Sequence, residues 1–234
     1  MALTTDLGTA RTARLVLVNA GISDPSSTRL LADRIAQKSL DALRESGMDA
    51  VLSTIDLGPL AVDIARSLVS GLPTARVQSA IEQLASADGI IATTPVYKAG
   101  VSGLFKSFVD LLDNDLLIAK PVALAATGGT ARHAMIVDDQ LRSLFVFLRA
   151  LPTPTSLYAA PEDWGSPDLG QRIDRAATEL AVLVRSGVGR EIAAGNWARH
   201  QHSFGGYATG SERASEHVDF DTDLMRLAAG GRAS

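Results

Sequence analysis

Hydroxyl side chains crowd one short stretch, with Ser23, Ser26, Ser27 and Thr28 inside the run NAGISDPSSTR at residues 19–29. An apolar run precedes the stretch and a helical pattern follows it, so these hydroxyls arrive at a helix amino terminus. Backbone N–H groups are unpaired there, and the helix dipole favours an anion. A phosphate monoester suits such a cup. Ser26 or Ser27 can instead be the N-cap, but a cap needs one hydroxyl and the loop offers four. Two further loops could touch a ligand. Residues 95–100 place Pro95, Val96, Tyr97 and Lys98 after a second apolar run, and residues 127–130 place Thr127, Gly128, Gly129 and Thr130 after a third. Small residues at Ala99, Gly100, Ser102 and Gly103 let a flat ligand approach the backbone. Tyr97 suits either a ligand wall or a cover for the sheet edge. Lys98 suits either a charge on the ligand or plain solvent. The paired glycines are either a turn or a pair of N–H donors for a heteroaromatic edge.

Other chemistries find little support. The chain has no G-x-x-x-x-G-K-[ST] and no G-x-G-x-x-G after its first strand, which leaves a monophosphate held by hydroxyls and amides, as flavin mononucleotide requires. There is no G-x-S-x-G elbow for nucleophilic hydrolysis. His200 and His202 form an H-x-H pair without a third partner, so no metal site is expected. His133 follows the third loop closely, and Asp138 and Asp139 open a helix where carboxylates favour the dipole. Cysteine is absent, which excludes disulfides and thiolate catalysis and points to an intracellular setting.

The elements that must position these loops alternate along the chain. Strands are expected over residues 13–20, 51–55, 89–94, 121–126 and 155–160, with Pro95 ending the third. Helices are expected over 26–45, 77–87, 101–112, 136–150 and 169–194; Pro59, Gly71 and Pro73 divide 57–76 into a short helix and a connector. Five strands with helical crossovers imply a parallel sheet covered on both faces, an α/β three-layer sandwich. The spacing suits a flavodoxin-like order, 2-1-3-4-5, in which every strand delivers its loop to one edge. A domain of residues 1–194 is expected, followed by a tail over 195–234 serving as arm, lid or docking segment.

At 234 residues the chain can bury one sizeable core. A net charge of −4 argues against a nucleic-acid surface and gives no reason to expect an anionic membrane. The polar start and the short run Leu15–Val18 do not make a signal core or a span, so a cytoplasmic protein is expected. In the helix over 136–150, Leu141, Leu144, Phe145, Leu148 and Leu151 form a core-facing stripe. Val137, Val146, Phe147 and Ala150 add apolar surface away from it, which suggests a homodimer or homotetramer.

Three segments, GISDPSSTR, TPVYKAGVSGLFKSFVDLLD and ATGGTARHAM, carry a resemblance to the NADPH-dependent FMN reductase family over about residues 13 to 190. The subgroup it looks nearest to is the one partnered with luciferase-like flavin monooxygenases, and the closing segment DFDTDLMRLAAGG is similar to that subgroup's ending. The resemblance implies hydride transfer from NAD(P)H to FMN, with nicotinamide C4 set against flavin N5 and no side chain acting as acid or base. By that similarity Ser23, Ser26, Ser27 and Thr28 hold the phosphate. Pro95 to Lys98 run along the ribityl chain and ring, and Thr127 to Thr130 donate to its pyrimidine edge. Reduced flavin would pass to the partner monooxygenase. Many relatives carry a basic residue in the first loop where this chain has Asp24, and some an aromatic residue where it has Asp139. FMN-bound quinone, azo-dye or chromate reductases use the same fold and hold flavin tightly; a flavodoxin-type carrier needs no nicotinamide.

Overall fold

Apolar runs too dense for a one-sided strand form the centre of the sheet. The computed structural model describes residues 11–195. Its strands are β1 (Ala13–Asn19), β2 (Ala50–Asp56), β3 (Gly89–Tyr97), β4 (Gly100–Val101), β5 (Pro121–Thr127), β6 (Leu151–Pro152) and β7 (Leu157–Ala159). The main path runs β2-β1-β3-β5-β6; β7 also lies on β5, and β4 folds back on β3. All pairings are parallel except β3 with β4. Alternate side chains serve opposite faces. Leu15, Leu17, Ile91, Ala123 and Ala125 pack under one layer of helices, and Val16, Val18, Ile90, Ala92, Val122 and Leu124 under the other. Helices α1 (Ser27–Glu45) and α6 (Pro167–Ser186) cover the first face. The second carries α2 (Ala61–Ser70), α3 (Ala75–Ala85), α4 (Gly103–Val109) and α5 (Ser143–Phe147). This is the flavodoxin-like three-layer arrangement.

Seven strands replace the five expected, for two reasons. The expected fifth strand over 155–160 shortens to β7, beside Ala125 to Thr127, and an unforeseen β6 precedes it beside Pro121 and Val122. Pro154 falls in the gap between them, where a residue that cannot donate to a ladder is tolerated. Side chains take over where the ladder stops. Arg142 donates to the carbonyls of Thr153 and Pro154 at 3.0 and 3.2 Å, and Glu179 accepts the Thr155 N–H at 2.8 Å. The third strand, for its part, does not stop at Pro95. Pro95 pairs in register with Thr127, and β3 runs on to Tyr97 before turning into β4.

The helices differ from expectation in two places. The segment over 136–150 opens with a wide π-helical turn, Val137–Arg142, before α5, and ends at Phe147. Val137 and Ala150, expected to face away from the core, are buried in it, while Val146 and Phe147 stand exposed. Leu151 leaves the helix for β6. The last helix divides at Gly187, whose φ of 72° ends α6 in the left-handed cap that glycine favours; α7 (Val188–Ala194) follows. No helix among the described residues is long and apolar enough to cross a membrane. Residues 196–234, with His200, His202 and the DFDTDLMRLAAGG ending, lie outside the described residues.

Candidate functional site

Register brings the three loops to one edge. Asn19 pairs with Thr93 and Pro95 with Thr127, so β1 and β5 end two residues apart along β3, which runs on to Tyr97 at the same edge. The loop after β1 enters α1 through Ser26, whose hydroxyl accepts the Arg29 N–H at 3.2 Å. Ser26 is therefore the N-cap, worth about 1 kcal/mol to the helix. Thr28 is buried, and its hydroxyl lies 2.7 Å from that of Thr127. Ser23 and Ser27 stay exposed at the helix end. The four hydroxyls thus divide into a cap, a tie to the third loop, and two open to a ligand. First-turn amides and the helix dipole complete an anion-favouring end.

Residues not singled out by sequence fix this loop. Asn19, buried at the end of β1, donates to Asp56 at 2.9 Å and accepts the Gly21 N–H at 3.1 Å. Arg29 is held by Asp33 at 2.7 Å and by both oxygens of Asp56 at 2.9 and 2.8 Å. Asp33 first, then Asp56, raise the Arg29 pKa above its ordinary value against the effect of burial. Two carboxylates thus compensate its charge beside the cup. Asn19, Ser23, Ser26, Arg29 and Asp56 line an open cleft of ≈ 1120 Å³, to which Ile22, Leu30, Pro59 and Leu104 add apolar wall.

The second loop is pinned at its base. Thr94 Oγ1 accepts the Ser102 N–H and lies 3.1 Å from Ser102 Oγ, which in turn caps α4 by accepting the Phe105 N–H at 3.2 Å. Pro95 and Val96 are buried, Tyr97 is 50% exposed at the rim, and Lys98 is exposed in the turn. In the third loop Thr127 is buried, Gly129 exposed, and Gly128 and Thr130 half-buried. Gly128 is squeezed from two sides. A Cβ there would collide with Tyr158 Oη and stand 3.5 Å from Val96 Cβ, so the second and third loops touch through it. Tyr158 donates its hydroxyl to the Thr130 carbonyl at 2.6 Å. Burial, and after it Glu162 and Asp163, raise the Tyr158 pKa, which keeps the phenol a donor. His133 is half-buried in a short turn beyond the loop.

Exposed hydroxyls, first-turn amides and the paired glycines of the third loop fit a flavin mononucleotide in donor chemistry. The sequence profile of the NADPH-dependent FMN reductases matches residues 13–165, which contain all three loops.

The chain belongs to the NADPH-dependent FMN reductase family.

Its activity is that of an NAD(P)H:FMN oxidoreductase. The reductase is 34% identical to an FMN reductase (NADPH) of Pseudomonas aeruginosa over 73% of its own length and 91% of the relative's. It is 38% identical to the NADH-dependent FMN reductase SfnE of Pseudomonas putida, over 76% and 90% of the two chains. Among solved structures, an oxidoreductase from Corynebacterium diphtheriae superposes with a TM-score of 0.73 at 39% identity, covering 75% of the reductase and 98% of that chain.

The Thr28–Thr127 tie gives the reductase a testable signature. Thr28→Val leaves the buried Thr127 hydroxyl unsatisfied and is expected to cost about 1–3 kcal/mol in urea unfolding. Thr28→Val with Thr127→Val removes both polar groups and is expected to cost less than the sum of the single changes. Additive costs would show that the two hydroxyls do not act as a pair.

Proposed function

We propose that the protein binds FMN across its three loops as an exchanging substrate, reduces it with NAD(P)H, and delivers reduced flavin to a luciferase-like flavin monooxygenase. Ser23 and Ser27, backed by the Ser26 cap, Thr28 and the first-turn amides, would hold the phosphate. Pro95, Val96, Tyr97 and Lys98 would run along the ribityl chain and ring, and Thr127, Gly128, Gly129 and Thr130 would face the pyrimidine edge. When bound, FMN supplies the hydride-accepting chemistry; the chain's own residues bind, orient and keep water from the ring. No side chain is assigned as acid or base.

One observation carries this reading: the buried Thr28–Thr127 contact of 2.7 Å, which locks the hydroxyl cup to the glycine loop as one surface. Support for loose holding comes from Arg29, whose charge at the cleft is shared with Asp33 and Asp56. Exposed Met135, Val146 and Phe147 supply an apolar face for the homodimer or homotetramer included in the proposal. The proposal also keeps a flavin-binding domain of residues 1–194 and a tail over 195–234 as arm, lid or docking segment.

The test follows NADH and NADPH oxidation with and without added FMN on protein passed through gel filtration. Oxidation is expected to depend on added FMN and to saturate with it. Flavin that stays bound through the column, with turnover indifferent to added FMN, would favour a tightly loaded quinone or azo-dye reductase instead.

A further inference from the structure

We propose that Gln140 is a positioning residue for the flavin hairpin: its side chain holds the Lys98–Ala99 turn in the shape that presents Val96 and Tyr97 to the ring. This role presupposes the flavin site proposed above. Two residues join β3 to β4, and both stand in the left-handed region, Lys98 at φ 52° and Ala99 at φ 59°. A two-residue hairpin of this type needs positive φ at both central positions, which Asn-Gly or Gly-Gly adopts readily. Lys and Ala do not, because each Cβ crowds the following carbonyl in that conformation. The hairpin itself has little to oppose that strain. Its pairing consists of Val96 with Val101 and Tyr97 with Gly100.

The compensating contacts come from outside the hairpin. Gln140 Nε2 donates to the Ala99 carbonyl at 3.2 Å, and its Oε1 accepts the Val101 N–H at 3.3 Å. One amide thus engages the turn and the strand that leaves it. Gly100, between those two partners, is kept small by the same arrangement, for a Cβ there would stand 3.3 Å from Gln140 Oε1. The clamp is firmly rooted. Gln140 belongs to the π-helical turn Val137–Arg142, whose Val137 and Leu141 are fully buried. Burial opposes the charge of Asp138, but Ser156 and Arg142 outweigh it and hold that carboxylate below its usual range. Asp138 and Arg142 together fasten the turn to Ser156 and to the carbonyls between β6 and β7. Single π turns recur at functional sites, and this one carries the residue that grips the hairpin.

Fluorescence quenching of FMN gives the direct readout. Gln140→Ala is expected to weaken FMN binding about tenfold, the factor that accompanies loss of about one ordinary hydrogen bond. The KM for FMN should rise accordingly, with kcat at saturating FMN falling less. Gln140→Glu, which keeps an acceptor for Val101 but loses the donor to Ala99, should fall between. Adding Ala99→Gly to Gln140→Ala should recover part of the affinity, since glycine takes a left-handed φ without the steric cost. A purely structural glutamine would lower thermal stability and show no such recovery. Undiminished FMN affinity in Gln140→Ala, alongside weakened affinity in Gly128→Ala, would overturn the clamp and leave the flavin site standing. Undiminished affinity in both would overturn the site and the clamp together.

Discussion

Gly128→Ala is expected to weaken FMN binding by about ten- to a hundredfold, the loss that accompanies about 1–3 kcal/mol of overpacking delivered to the loop itself. The new methyl would collide with Tyr158 Oη, and that hydroxyl is held by the Thr130 carbonyl at 2.6 Å. Either the loop moves or the phenol lets go; both outcomes shift the backbone proposed to face the ring. Tyr158→Phe removes the colliding atom, although Cζ would still lie 3.3 Å from the methyl. Gly128→Ala should therefore cost less affinity in the Tyr158→Phe background than alone. Fluorescence titration of the four proteins closes the cycle. Equal losses in both backgrounds would show that Tyr158 does not set the space beside Gly128.

Phe105→Ala is expected to be the most destabilising single change, at about 3–5 kcal/mol in urea unfolding. The Phe105 ring is fully buried and lies 6.3 Å from that of Phe145, tilted by 46°. It joins α4, which follows the β3–β4 hairpin, to α5, which comes after the glycine loop. Removing it opens a cavity under both. Phe105→Leu keeps most of the volume and should cost distinctly less. A loss below about 1 kcal/mol for the alanine variant would mean that the site collapses around the gap, contrary to a closely packed joint.

Much of this architecture is legible in the sequence because burial on both faces forces unbroken apolar runs. Val16 to Val18, Ile90 to Ala92 and Val122 to Ala126 announce their strands, and small or hydroxyl residues announce the loops where they end. What pattern alone does not supply is partnership. Gln140 and Ala99 are 41 positions apart, and Tyr158 and Thr130 are 28 apart; neither pair leaves a periodic trace. Hydropathy likewise does not separate an α from a π turn, since Val137, Leu141 and Phe145 keep the same spacing in either. The division of four hydroxyls into cap, tie and open pair depends on Thr127, 99 positions from Thr28. Pro95 misleads in the other direction: a missing N–H is harmless where the ladder is ending, so β3 passes through it.

The broken strand at the margin of the sheet has a consequence for behaviour at high concentration. A long bare margin would offer another chain a row of free peptide groups to add onto, the first step of β-sheet aggregation. Here two short pieces of strand are separated by proline, and Arg142 and Glu179 occupy carbonyl and amide groups in the gap. That flank is effectively non-adhesive. The opposite margin, β2, is a full seven-residue strand with Val51 and Leu52 exposed, and is the side from which runaway strand addition would start.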